Sequence, residues 1–284
     1  MEYKKSEILV VGSVVKDTIV SYSKKKITLG GTGTNISFGL GVLGLNPTIV
    51  SVAGKDSKEF LQFFKKNKIS QKIEIFNKKR TAEFLAKIDK KGKEKTFWKP
   101  NVFNKIEEIK LVNLFSKKEL ENFKIIIFSP GTPKSTVKHI KEFKNLNKKA
   151  LVIFDPGQMT EFYTKKQVEE SIKFSDFLIL NELEFGQLSK ILKKDLLKLF
   201  KNKILIKTLG EKGSQIFQNN KIIFIPVIQA KKIVSTVGAG DTYRVGLIYG
   251  LLNKMSLESS CKLGARFSSR SVGSVGCKKY FFKI

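Results

Sequence analysis

The chain has 284 residues, 41% of them hydrophobic, which is enough for one substantial core, and no apolar run reaches the roughly 20 residues that a membrane-spanning helix needs. Basic residues outnumber acidic ones 54 to 25, a formal charge of +29, but only Arg80, Arg244, Arg266 and Arg270 are arginines, and the lysines are spread over the whole length. This pattern reads as a lysine-biased composition and argues against specific nucleic-acid recognition, in which arginine forks carry much of the readout.

Residues 8–14 form a near-continuous apolar run, as expected of a strand buried on both faces, and residues 18–22 continue as a half-polar strand. Gly30-Gly31-Thr32-Gly33-Thr34-Asn35 then precedes an apolar helix predicted over 36–43. Asn46-Pro47 turns the chain into a strand at 48–52, and Gly54-Lys55-Asp56-Ser57 leads to a helix carrying Phe60, Leu61, Phe63 and Phe64. Residues 81–88 and 94–98, joined at Lys90-Lys91-Gly92, predict a hairpin with one exposed face. A strand and helix rhythm follows, with strands at 125–128, 151–154, 177–180 and 204–208 and helices at 135–146 and 165–174. His139, in Lys138-His139-Ile140, is expected on a solvated helix face. A hairpin over 214–217 and 222–225 and two helices complete the chain. Alternating strands and helices predict an α/β fold with a doubly wound, mostly parallel sheet, whose ligands bind at the carboxyl ends of its strands.

With a single histidine, a His-dependent triad or a multi-histidine metal site is nearly excluded. Cys261 and Cys277 have no C-x-x-C partner, so neither a zinc site nor a disulfide framework is indicated. The start, Met1-Glu2-Tyr3-Lys4-Lys5, leads into a strand pattern instead of a leader, and a cytoplasmic location is expected.

The most informative stretch runs from Val234 to Leu252. A β-branched run ends in Gly238-Ala239-Gly240, and an apolar helical segment follows. Two glycines here allow close backbone approach, and the N–H groups of a helix start can hold an anion such as a phosphate. Asp241, in the first helical turn, is placed to accept a proton, so a phosphate cradle beside a carboxylate base suggests phosphoryl transfer to a hydroxyl. A helix capped by Gly and Asp is the plainer alternative.

Other segments are equally two-sided. Asp17 after the first strand suits paired sugar hydroxyls or an exposed turn, and Gly30-Gly31 with Asn35 suits hydroxyl recognition or an ordinary helix start. Asn181 and Glu184, three apart, could hold hydrated Mg²⁺ through oxygen, or could simply cap a helix. Lys207-Thr208-Leu209-Gly210-Glu211-Lys212-Gly213 is a nucleotide-edge loop or a turn. Gly39-x-Gly41-x-x-Gly44 has dinucleotide spacing but falls inside a helical pattern, so it reads as small residues packing a helix. No Walker-type phosphate loop occurs in the chain.

Taken in order, Asp17, Gly30-Gly31-x-x-x-Asn35, Gly54-Lys55-Asp56, Asn181-x-x-Glu184, residues 208–213 and Gly238-Ala239-Gly240-Asp241 resemble the ribokinase (PfkB) family of carbohydrate and nucleoside kinases over nearly the whole chain. Residues 154–158 (Phe-Asp-Pro-Gly-Gln) and 240–244 (Gly-Asp-Thr-Tyr-Arg) look most like archaeal-type nucleoside kinases.

The resemblance implies a single ribokinase-like domain over 1–284, a Rossmann-like αβα sandwich with a small β-sheet lid from segments near 18–29 and 77–99. It implies Asp241 as catalytic base, an anion hole of Gly238, Ala239 and Gly240, and substrate contacts from Asp17, Gly30, Gly31 and Asn35. Thr208, Gly210 and Gly213 would line the ATP site, and Asn181 and Glu184 would organise Mg²⁺ through water. ATP and Mg²⁺ are the expected cofactors, together with a nucleoside or sugar acceptor and a homodimer formed through the lid. A monovalent cation, K⁺, also belongs to the pattern. Here Ser235-Thr236-Val237 replaces the Asp-Thr-Thr or Asp-Pro-Thr that many relatives carry before the Gly-Ala-Gly-Asp turn.

Overall fold

A computed structural model describes residues 6–21, 24–88, 94–200 and 202–273. The chain runs through β1 (Ile8–Val11), β2 (Val15–Ser21), β3 (Lys24–Gly30), α1 (Thr32–Val42), β4 (Thr48–Gly54), α2 (Lys58–Lys66) and β5 (Ser70–Phe76). It continues with β6 (Ala82–Ile88), β7 (Glu94–Lys99), α3 (Leu111–Leu114), α4 (Lys117–Asn122), β8 (Ile125–Phe128), α5 (Pro133–Leu146), β9 (Leu151–Phe154) and α6 (Lys165–Phe174). The last third holds β10 (Phe177–Asn181), α7 (Glu182–Leu192), α8 (Leu196–Leu199), β11 (Ile204–Thr208), β12 (Ser214–Gln218), β13 (Lys221–Ile225), α9 (Ala239–Leu252) and α10 (Leu257–Ser271).

Among the described residues nine strands form the main sheet, in the order β13-β12-β11-β10-β9-β8-β1-β4-β5. All neighbours from β11 to β5 are parallel, and β12 and β13 close one edge antiparallel. Alternating residues along each central strand feed two separate cores, the period of two expected of a strand buried on both faces. Leu9 and Val11 of β1, Ile126 and Phe128 of β8, and Leu178 and Leu180 of β10 join the core that includes Ile140 and Phe143 of α5 and Val168 and Ile172 of α6. Ile8, Val10, Ile125, Ile127, Phe177 and Ile179 point the other way, into the core of α1, α9 and α10. Chain order reverses at β1, which lies between β8 and β4, so the crevice beyond their carboxyl ends is the topological switch point.

A second sheet of four strands, β3-β2-β6-β7, stands on the loops that leave β1 and β5. The predicted hairpin is its antiparallel β6–β7 pair, and the tip at Lys90-Lys91-Gly92 lies outside the described residues. Ile27, Phe84, Phe97 and Trp98 are exposed on this sheet. The edge strand β5 was not expected from the sequence. His139 corrects an expectation: it is fully buried on α5, with Nε2 2.9 Å from the Ile109 carbonyl, and burial lowers its pKa. Cys261 is a buried free thiol, and Cys277 lies outside the described residues.

Candidate active site

Asp241 sits in the first turn of α9, whose N-cap is Gly238 at φ 82°. This left-handed conformation is cheap only for glycine, and it folds the chain sharply into the helix. Ala239 N–H donates to the Thr236 carbonyl at 3.2 Å, closing the turn, and the first intrahelical bond runs from Thr242 N–H to the Gly238 carbonyl at 3.0 Å. Gly238 and Gly240 thus carry N–H groups that precede the intrahelical ladder of α9, whereas the N–H of Ala239, the third expected anion donor, is taken by Thr236.

The second half of the site arrives from the other end of the chain. Gly31 is the N-cap of α1 at φ 90°, and a Cβ there would lie 2.5 Å from the Ser13 carbonyl oxygen, so glycine is required by both conformation and space. The turn brings Asn35 onto the first coil of α1, where its Nδ2 donates to Asp241 Oδ2 at 2.7 Å. Two helix starts, 206 positions apart in sequence, thus meet at one carboxylate. Asp17 on β2 lies over the backbone of Gly30, where an added Cβ would meet its Oδ2 at 1.8 Å, and its charge raises the pKa of Asp241. Burial is the main cause of that rise, which the Asn35 hydrogen bond and the Arg244 charge oppose, and the carboxyl settles at about 6. It is therefore mostly ionised at neutral pH, as expected of a base poised near its working pH.

Beneath the turn, Arg244 makes a forked ion pair with Asp155 at the end of β9, Nε to Oδ2 at 2.5 Å and Nη2 to Oδ1 at 2.6 Å. Both side chains are buried. Burial opposes the guanidinium charge, but the Asp155 carboxylate outweighs it and the arginine pKa is raised. Nothing in the local sequence around either residue announces this pairing.

Asn181 and Glu184 are brought together as a capping box at the start of α7. Glu184 N–H donates to Asn181 Oδ1 at 2.9 Å, and Asn181 N–H donates to Glu184 Oε2 at 2.8 Å. Burial raises the Glu184 pKa, and Arg244 opposes the rise. Thr208 pairs with Asn181 across β10 and β11, which sets Gly210 and Gly213 in the turn just beyond. Ser214 Oγ, 2.9 Å from Tyr243 Oη, ties that edge to α9. The Gly39-x-Gly41-x-x-Gly44 run lies within and just past α1, where a Cβ on Gly39 would meet Val245 Cγ2 at 2.6 Å, so it is a helix-packing stripe.

Comparison with known proteins fits this geometry. The model of the pfkB family of carbohydrate kinases matches residues 5–280. The chain belongs to that family. It is 30% identical to a nucleoside kinase from Methanocaldococcus jannaschii over 88% of this chain and 80% of the relative. A ribokinase from Lactococcus lactis is 26% identical over 88% and 81%. Among solved structures, the M. jannaschii nucleoside kinase superposes with a TM-score of 0.86 at 28% identity, covering 97% of this chain and 94% of that one. A Burkholderia thailandensis nucleoside kinase in complex with inosine gives a TM-score of 0.85 at 20% identity, with 96% and 93% covered, a likeness of fold.

As a pfkB family member the chain is a phosphotransferase acting on a hydroxyl group, and ATP is the co-substrate of this kinase family. Among the described residues no helix is long and apolar enough to cross a membrane. A small cavity of about 20 Å³ lies at the switch point, lined by residues that include Ser13, Ser129, Thr136 and His139.

Proposed function

We propose that this chain transfers the γ-phosphate of ATP to the 5′-hydroxyl of a nucleoside, with Asp241 as the base. The observation that carries the reading is the hydrogen bond from Asn35 to Asp241, which joins the proposed sugar side of the site to the proposed phosphate side. The likeness to the M. jannaschii nucleoside kinase supports the choice of acceptor. Asp17, Gly30, Gly31 and Asn35 hold the ribose, and Thr208, Gly210 and Gly213 line the nucleotide. The acceptor oxygen attacks the γ-phosphorus as its proton passes to Asp241, and the bond to the β-phosphate oxygen breaks to release ADP. The N–H groups of Gly238 and Gly240 face the charge that grows on the transferred group, and that of Ala239 joins them when its bond to the Thr236 carbonyl opens.

Asn181 Oδ1 and Glu184 Oε2 each accept from the other residue's N–H, and among the described residues no cluster of three or more His, Cys, Asp or Glu could form a direct metal cage. This donor set fits Mg²⁺ held through water and phosphate, the usual mode for a small cation that dehydrates reluctantly. Bound there, the ion would neutralise phosphate charge. Ser235-Thr236-Val237 offers no carboxylate for K⁺, so a monovalent cation would rest on backbone carbonyls. The small sheet is the lid that excludes water on closure. Its exposed Ile27 and Phe97, which lie in one cross-strand row and so share a face of the sheet, are where a second copy would pair.

The test is ADP release over a panel of nucleosides and sugars. Ribonucleosides should be preferred over their deoxy analogues, because a missing hydroxyl leaves buried polar groups unpaired. Activity on free hexoses with none on nucleosides would move the chain to the sugar kinases of the same family, and equal turnover of ribose and deoxyribose forms would remove Asp17 from the ribose site.

A further inference from the structure

We propose that Arg244, gripped by Asp155, is a positioning residue that sets the Gly-Ala-Gly turn and Asp241 in place for phosphoryl transfer. The inference rests on Asp241 being the base. An arginine in an otherwise apolar stretch of helix has to find a partner, and Arg244 is buried at 7% exposure with Asp155 at 1%. The fork uses Nε and Nη2, and the remaining nitrogen, Nη1, donates to the Gly240 carbonyl at 3.0 Å. Gly240 is the residue immediately before Asp241. A Cβ on Gly240 would lie 3.0 Å from the same Nη1, so the guanidinium is packed directly under the turn.

One planar group therefore fixes the end of β9 to the backbone that carries both the base and the proposed anion donors. Lysine could not do this, because its single nitrogen cannot hold a carboxylate as a fork and reach a carbonyl on the far side. As a device for stability alone the pair is poor, since buried ion pairs are often matched by apolar replacements. Its third bond, to the turn, is where it acts on function.

The charges agree with the geometry. Asp241 is faced by Asn35 from α1, Asp17 from β2, Asp155 from β9 and Arg244 from its own helix, and Glu184 of α7 also feels Arg244. Arg244 is the cation set among these carboxylates, and it favours the ionised forms of Asp241, Asp155 and Glu184. Its loss should raise the pH at which Asp241 becomes a competent base.

Arg244→Gln alone leaves Asp155 buried and unpaired and can unfold the chain, so the decisive variant is the neutral pair Asp155→Asn/Arg244→Gln. Purified protein is assayed for kcat, for KM of ATP and acceptor, for the pH profile and for thermal midpoint, beside Asp241→Asn. The expected result is a folded enzyme with both KM values within about threefold of wild type, since ground-state binding is untouched. Its kcat should fall by about 10 to 10²-fold, the scale of a misplaced reacting group, and the acidic limb should move slightly to higher pH, since the lost Arg244 charge outweighs the opposing loss of the Asp155 charge. Wild-type kcat with an unmoved limb would make the pair purely structural and overturn the proposal.

If the double variant does not fold, Arg244→Lys decides, since it keeps the charge and loses the fork. A lower kcat with the limb in place supports positioning, and an unchanged kcat overturns it. Asp241→Asn separates the layers. If it retains activity, the reading of the base has failed; if it is inactive while the Arg244 variants match wild type, only this inference has.

Discussion

Two aspartates at the carboxyl end of the same sheet are held in opposite ways. Asp56, in the loop after β4, accepts from Thr81 N–H and Thr81 Oγ1, both at 2.8 Å, and pairs with Lys16 Nζ at 3.2 Å and Arg80 Nε at 3.7 Å. Burial pushes its pKa up, but these donors together carry it below the ordinary 3.8. Asp241 accepts from Asn35, faces two other carboxylates, and is raised to about 6. A carboxylate saturated with donors is an anchor with no appetite for a proton, whereas a base has to stay hungry. Lys16 lies on β2 and Thr81 immediately precedes β6, so the anchor clamps the root of the small sheet to the main body.

Exchanging each carboxylate for its amide should separate the two roles most sharply. Asp241→Asn should lose about 10² to 10⁴ in kcat, the worth of a positioned general base, while folding normally. Turnover within about tenfold of wild type would return the Gly-Ala-Gly-Asp segment to a capped core helix. Asp56→Asn should do the reverse, costing about 1.5 to 3 kcal/mol in denaturant unfolding, nearer the lower figure because the carboxylate is partly exposed. Its kcat should stay near wild type with lid closure intact, and a collapse of kcat without loss of stability would show that Asp56 touches the reaction.

Proton titration is the next step down in size. The rate should fall about tenfold per pH unit below about 6 as Asp241 protonates, and level off above it. Because its folded pKa is raised, the stability Asp241 contributes is greatest below 3.8 and is lost as pH rises through about 6. Asp56 has the opposite sign: its folded pKa is depressed, so its contribution is present above 3.8 and lost only as pH falls further. A flat profile of rate between pH 5 and 7 would contradict the assignment of Asp241.

Much of this architecture was readable from residue pattern. Strands β1, β8, β9, β10 and β11 are short apolar runs because both faces are covered, and such runs are hard to mistake. The edge strand β5, Ser-Gln-Lys-Ile-Glu-Ile-Phe, is hard to read from the sequence because none of its residues is fully buried and polar ones begin it. His139 misled because lysine precedes it, although Thr136, Ile140 and Phe143 at helical spacing mark the buried stripe it belongs to. At the site, the order of motifs pointed to Asp241 and its turn. The Asp155 to Arg244 fork spans 89 positions, and no local pattern encodes a contact of that separation. What the sequence did carry was a charge at the head of an apolar helix, a demand for a partner without an address.

The smallest effect concerns a distinction that local geometry alone does not make. Thr164 with Gln167 and Asn181 with Glu184 form the same reciprocal box, each side chain accepting from the other residue's N–H. As helix caps they should be worth the same, and Thr164→Ala and Asn181→Ala should each cost about 1 kcal/mol in unfolding. Only the second box lies at the carboxyl end of the parallel sheet beside Thr208, and only there is the capping glutamate buried near Arg244. If Asn181 also organises Mg²⁺ through water, Asn181→Ala should raise the Mg²⁺ concentration for half-maximal rate by severalfold, with activity partly restored at higher metal. Thr164→Ala should leave that concentration unmoved. Equal Mg²⁺ dependence in both variants would reduce Asn181 to the helix cap its hydrogen bonds already describe.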